Sequence, residues 1–187
     1  MKFVMTTFFA VAMAGTALAG PIKLSPANPQ PGASDLSPGL AVSYAADAGG
    51  RTLSEAKATL RKAIPGTPLI GLSYLDGNDG DKTLTSDQPH RVAAAISGYI
   101  RFDAAGTFEV EFLSNDGLEA SIGGQQVVMF DGVHSCEPSG AQQIVVPSPG
   151  WYALEATYFQ RKGSACLMMD WNVGGAMEPV PDSVFAH

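Results

Sequence analysis

Asn115 and Asp116 place two side-chain oxygens next to each other in the run Ser114-Asn115-Asp116-Gly117. Oxygens of this kind ligate a hard cation or accept hydrogen bonds from sugar hydroxyls. A second polar loop, 131–140, carries Asp131, His134 and Glu137, which could shape the specificity of such a site. Trp151 follows a Pro/Gly turn and is opposite in parity to Tyr152, so it reads as the aromatic most exposed for stacking on a sugar face. A second reading of Asn115-Asp116 stays open, a turn in which an Asx side chain caps its own backbone and Gly117 takes the unusual dihedral.

Catalytic ingredients are sparse. No Gly-x-Ser-x-Gly elbow, His-Glu-x-x-His helix or phosphate-cradling glycine loop occurs. His134 and Cys136 are neighbours in sequence, which does not make them a base and a nucleophile. Asp116, Glu119, Asp131 and Glu137 are paired-acid candidates by loop position only. The chain reads as non-catalytic.

These residues sit among strand patterns. In 106–113, Phe108, Val110 and Phe112 alternate with Thr107, Glu109 and Glu111, the period of a half-buried strand. Further strands are expected at 40–44, 69–75, 91–102, 118–122, 125–130, 142–146, 151–159 and 164–171. Gly123-Gly124 signals a two-residue hairpin turn. Only 52–63 reads as a helix, opened by a Thr52/Glu55 capping box and ended by Pro65-Gly66. Many short strands with Gly/Pro turns and one peripheral helix imply an all-β sandwich or barrel. The acidic run 76–81 has Gly80 and Asp81 in the wrong order for a helix–loop–helix calcium loop. It is either a solvated loop or a cation site of another geometry. The last residues of the tail 177–187 are expected to be mobile.

The bulk numbers bound the partners. Lys2, the apolar run 3–13 and Ala17-Leu18-Ala19 form a secretory signal, 1–19, cleaved after Ala19. A Pro-rich lead-in, 20–39, precedes a single domain, 40–187. The chain has 11 basic and 18 acidic residues, and cleavage removes Lys2, leaving a net charge of −8. That balance disfavours nucleic acid and anionic membrane, and no later segment could span a bilayer as a helix. Cys136 and Cys166 are the only cysteines. In an oxidising compartment they read as a disulfide, the alternative being two free buried thiols.

The runs SGYIRFDAAGTFEVEFLSNDGLEASIGGQQVVMFDG and VVPSPGWYALEATYFQRKGSACLMMDWNVGG, with PVPDSVF near the end and GLAVSYA near the start, resemble the PA14 domain family. The resemblance implies an antiparallel β-sandwich of the kind found in toxin protective antigens, glycosidases, glycosyltransferases and yeast adhesins. In sugar-binding members an adjacent aspartate pair, flanking a cis peptide bond in the adhesin type, holds a calcium ion that binds sugar hydroxyls. Here that pair falls on Asn115-Asp116. The expected function is a non-catalytic carbohydrate-binding module of an exported protein, periplasmic or secreted. Its cofactor is either none or Ca2+, and its partner a glycan or an envelope or extracellular protein. The alternative is a structural or protein-interaction domain of the cell envelope without sugar binding.

Overall fold

Alternation along the long strands sends one set of side chains into a shared core. A computed structural model describes residues 20–187. The expected signal peptide, 1–19, lies outside the described residues. In chain order the strands are β1 (Ile22–Lys23), β2 (Ala41–Ala45), β3 (Ile64–Pro65), β4 (Ser73–Tyr74), β5 (Val92–Phe102), β6 (Gly106–Asn115) and β7 (Leu118–Ile122). They continue as β8 (Gln125–Phe130), β9 (Glu137–Pro138), β10 (Gln142–Val146), β11 (Gly150–Gln160), β12 (Cys166–Asn172), β13 (Glu178–Pro179) and β14 (Phe185–Ala186). The α-helix is α1 (Leu53–Thr59), extended by a 3-10 turn over Leu60–Lys62.

Two sheets form. One runs β1-β10-β6-β12-β13, with β4 beside β12 and β9 beside β6; the other runs β3-β2-β5-β11-β7-β8, with β14 beside β5. Every pairing is antiparallel except β1 with β10. Val110 and Phe112 of β6, Ile144 of β10, and Leu167, Met169 and Trp171 of β12 share the core with Ile96, Ile100 and Phe102 of β5 and with Tyr152, Leu154 and Tyr158 of β11. Each such fully buried large apolar side chain contributes about 1.5–3 kcal/mol. The Gly123-Gly124 turn is as expected, with both glycines at positive φ (56° and 72°), as a type I′ hairpin requires.

The helix lies on the outer face of the second sheet. The Thr52 hydroxyl accepts from the Glu55 amide at 3.3 Å, and the Glu55 carboxylate accepts from the Arg51 amide at 2.7 Å. Leu53 and Ala56 pack with Ala48, Ala93 and Phe159 in a second small core.

Two expectations are corrected. The run 69–75 is not one strand. Leu69 bridges Leu40, beside β2, while Ser73-Tyr74 pairs with β12 of the opposite sheet. The segment crosses between layers at Gly71, where an added Cβ would meet an Asp182 carboxylate oxygen at 2.1 Å. Nor does the tail hang free. β14 pairs with β5, and Ser37 and His187 exchange backbone hydrogen bonds at 2.8 and 2.9 Å.

Candidate functional site at the Asn115-Asp116 crossing

β6 ends at Asn115 in the first sheet, and β7 begins at Leu118 in the second. The three residues 115–117 therefore carry the chain across one end of the sandwich. Backbone bonds fix this crossing to β11: the Asp116 amide donates to the Phe159 carbonyl, and the Phe159 amide to the Gly117 carbonyl, both at 3.0 Å. The Asn115–Asp116 peptide bond is cis. Gly117 is required for a reason other than the expected dihedral, since its φ is not positive. A Cβ there would meet the Phe159 ring at 2.4 Å.

Asp116 is 2% exposed. One carboxylate oxygen accepts from the His134 amide at 3.1 Å and the other from the Arg161 amide at 2.7 Å. Burial raises the carboxyl above its ordinary range, while these two amide hydrogen bonds and the neighbouring His134 and Arg161 side chains pull it back. Asp116 thus ties together the crossing, the 131–140 loop and the turn after β11.

Asn115 is also buried. Its carbonyl accepts from the Tyr158 hydroxyl, and its side-chain oxygen Oδ1 has no hydrogen-bond partner. Burial pushes the Tyr158 phenol well above its ordinary value, with the Asp116 charge adding to the effect. Three further buried polar atoms without partners lie on the segments that meet here: Ser114 Oγ, His134 Nε2 and Gln160 Oε1. The His134 ring stacks on Phe130 with centroids 3.8 Å apart.

The remaining candidates are placed unevenly. Cys136 and Cys166 form a disulfide that joins the 131–140 loop to the start of β12, where Cys166 stands opposite Asn115. Glu137 is exposed on β9, opposite Ser114. The Asp131 side chain is engaged at the start of α1, accepting from the Leu53 amide at 2.7 Å and the Gly132 amide at 2.8 Å. Trp151 lies at the other end of β11, eight residues before Phe159 and so about 26 Å away along the strand. The Arg101 guanidinium stands 5.6 Å from its ring centroid.

The acidic loop after β4 is largely paired within itself. Asp79 meets His90 at 2.6 Å, Asp81 accepts from the Asn78 amide at 2.8 Å, and Asp87 meets Lys82 at 3.0 Å. Among the described residues, one group of three His, Cys, Asp or Glu side chains is close enough to surround an ion: Asp76, Cys136 and Cys166. Its two sulfurs are bonded to each other. Tyr158 and Arg161 are site residues that the sequence does not mark. Their roles depend on strand register, and no local motif marks them.

Comparison with known proteins agrees with this architecture. The family model for the PA14 domain matches residues 36–184. No curated protein matches the chain in sequence. Among solved structures, the PA14 domain of the MpAFP antifreeze protein aligns with a TM-score of 0.68 at 16% identity, covering 81% of this chain and 91% of that one. A PA14 sugar-binding domain from an RTX adhesin aligns at 0.62 and 19% identity, covering 80% and 98%. The epithelial adhesin 9 A domain of Candida glabrata, in complex with Galβ1-3GlcNAc, aligns at 0.60 and 10% identity, covering 86% and 92%. At these identities the structural likeness speaks to the fold. With the family match spanning most of the chain, the protein belongs to the PA14 domain family.

Proposed function

We propose that this chain is an exported, non-catalytic carbohydrate-binding module whose ligand meets the sandwich at the Asn115-Asp116 crossing. The observation that carries the reading is the concentration of unsatisfied polar atoms there. Among the described residues, four of the six buried side-chain atoms without a partner, on Ser114, Asn115, His134 and Gln160, belong to the segments joined at Asp116. A buried polar group without a partner costs about 1–3 kcal/mol, so a cluster of them is a place where a polyhydroxyl ligand or a cation recovers free energy. The sugar-binding RTX adhesin domain and the adhesin complex with Galβ1-3GlcNAc give the same reading by likeness of fold.

Asn115 Oδ1 and Asp116 suit a calcium ion. The first is a buried neutral oxygen without a partner, and each Asp116 oxygen keeps a lone pair beyond its single amide bond. A bound calcium would coordinate sugar hydroxyls directly. With a single formal negative charge in this ligand pair, the affinity falls toward the weak end of extracellular modules, a Kd of about 10⁻⁴–10⁻³ M. His134 and Glu137 border the crossing and would tune specificity. Asp131 and Trp151 contribute less directly, from the helix start and from the far end of β11. The disulfide suits an oxidising compartment, periplasmic or extracellular.

Calorimetric titration of the mature protein with calcium, followed by a glycan array with and without chelator, tests this. Calcium binding and chelator-sensitive retention of at least one glycan support it; failure to bind either overturns it.

Ile64 on edge strand β3, Ile70 and Leu75 are 70%, 64% and 73% exposed, which favours a second reading, a protein-interaction domain of the envelope. Specific crosslinking to an envelope protein that is lost on Ile64→Glu, together with a blank glycan array, would favour it.

A further inference from the structure

The mature chain carries 10 basic residues against 18 acidic ones, yet three of its cations converge. Arg91, Arg161 and Lys162, with Gly49, line an open cavity of about 350 Å³. Among the described residues the Arg161 and Lys162 side chains have no salt-bridge partner. Arg91 has one distant partner, Asp47 at 3.9 Å, whose side chain is 90% exposed. Like charges drawn together repel one another, so a bound anion is favoured between them.

The backbone holds this arrangement in place. Arg91 stands in the left-handed region at φ 60°, a conformation that is strained for a non-glycine residue. Its amide donates to the Arg161 carbonyl at 3.1 Å, and its carbonyl accepts from the Ala48 amide at 2.8 Å. Its guanidinium lies over Gly49, where an added Cβ would stand 3.0 Å from Nη2.

The cavity adjoins the crossing. The Arg161 amide binds Asp116, and the Arg161 charge acts on that carboxyl. We infer that this cavity receives the carboxylate of an acidic glycan, a hexuronate-type saccharide bound beside the Asn115-Asp116 crossing. The guanidinium fork matches a planar carboxylate in bidentate fashion, and Lys162 adds a point charge. This inference rests on the glycan-binding reading and names its substrate class.

The test uses the mature protein, calcium present, in calorimetric titrations with three oligosaccharides of equal length: a galacturonan, a neutral galactan and a sulfated galactan. The galacturonan is expected to bind about tenfold more tightly than the neutral chain. That advantage should shrink as salt rises from about 0.05 to 0.5 M. Arg161→Gln with Lys162→Gln should abolish the advantage of the galacturonan over the neutral chain. The Arg161 amide that holds Asp116 survives this change, and Arg91→Gln, which removes the third cation of the cavity, gives an independent second variant with the same expected selective loss. Equal binding of galacturonan and galactan overturns the inference and leaves the glycan reading standing. Unchanged galacturonan binding in the double variant overturns it as well. A sulfated chain bound at least as tightly as the galacturonan overturns the carboxylate assignment. Binding of none of the three overturns both the inference and the reading beneath it.

Discussion

Asp116 does structural work that its charge alone does not explain. Its two oxygens accept amides from two different loops, at 3.1 and 2.7 Å. Asp116→Asn keeps the shape but turns one acceptor into an NH₂ donor facing an amide donor. The variant should lose about 1–3 kcal/mol in chemical denaturation. The pH dependence follows from burial. Because the native carboxyl is raised above its unfolded value, the native state binds more protons between the two values. Stability from this group is fully present below the ordinary aspartate value and is lost as pH rises through the raised one. The denaturation midpoint of the native protein relative to Asp116→Asn should fall across that window and then level off; a rise would contradict the assignment. Asn115 behaves differently, since its Oδ1 has no partner to lose. Asn115→Ala should change stability by less than about 1 kcal/mol while removing a ligand contact.

At the scale of elements, the disulfide and the register of β12 hold the crossing. Cys166 stands opposite Asn115, and Cys136 ties the 131–140 loop to it across a separation of 30 residues. Replacing both cysteines by serine should cost about 3–4 kcal/mol through the freed loop. It should also weaken glycan binding, because His134 loses its anchor two residues away. Denaturation and array binding read the two effects separately.

Much of this scale was legible in the residues. Period-two alternation in 106–113 predicts which side chains enter the core, and Gly123-Gly124 predicts its turn. What alternation does not encode is which end of a strand a residue occupies relative to its neighbours. Trp151 and Phe159 lie on one strand, but only pairing with β5 and β7 places the first far from the crossing and the second against Gly117. The break at Gly71 is hidden for the same kind of reason, since the residue packed against that glycine, Asp182, lies more than a hundred residues later.

For the whole molecule, both ends of the described chain are built into the sandwich. Ile22 and Lys23 pair with β10, Leu24 is 1% exposed, and His187 bonds back to Ser37. Leu24→Ala should therefore destabilise the entire domain by about 2–5 kcal/mol, as for any core leucine, and the loss should appear as one cooperative transition. Among the described residues no helix is long and apolar enough to cross a membrane. The crossing and the helix meet at Phe159, whose backbone bonds to Asp116 and Gly117 and whose ring packs with Leu53 and Ala56. Trp151 and Arg101 mark the opposite end of the sandwich.

The most direct measurement is a glycan array probed in calcium with the native protein and with Asn115→Ala, each checked for an equal melting temperature. The native protein should retain at least one glycan and the variant none. Retention of the same glycans by both proteins would contradict a ligand site at the Asn115-Asp116 crossing.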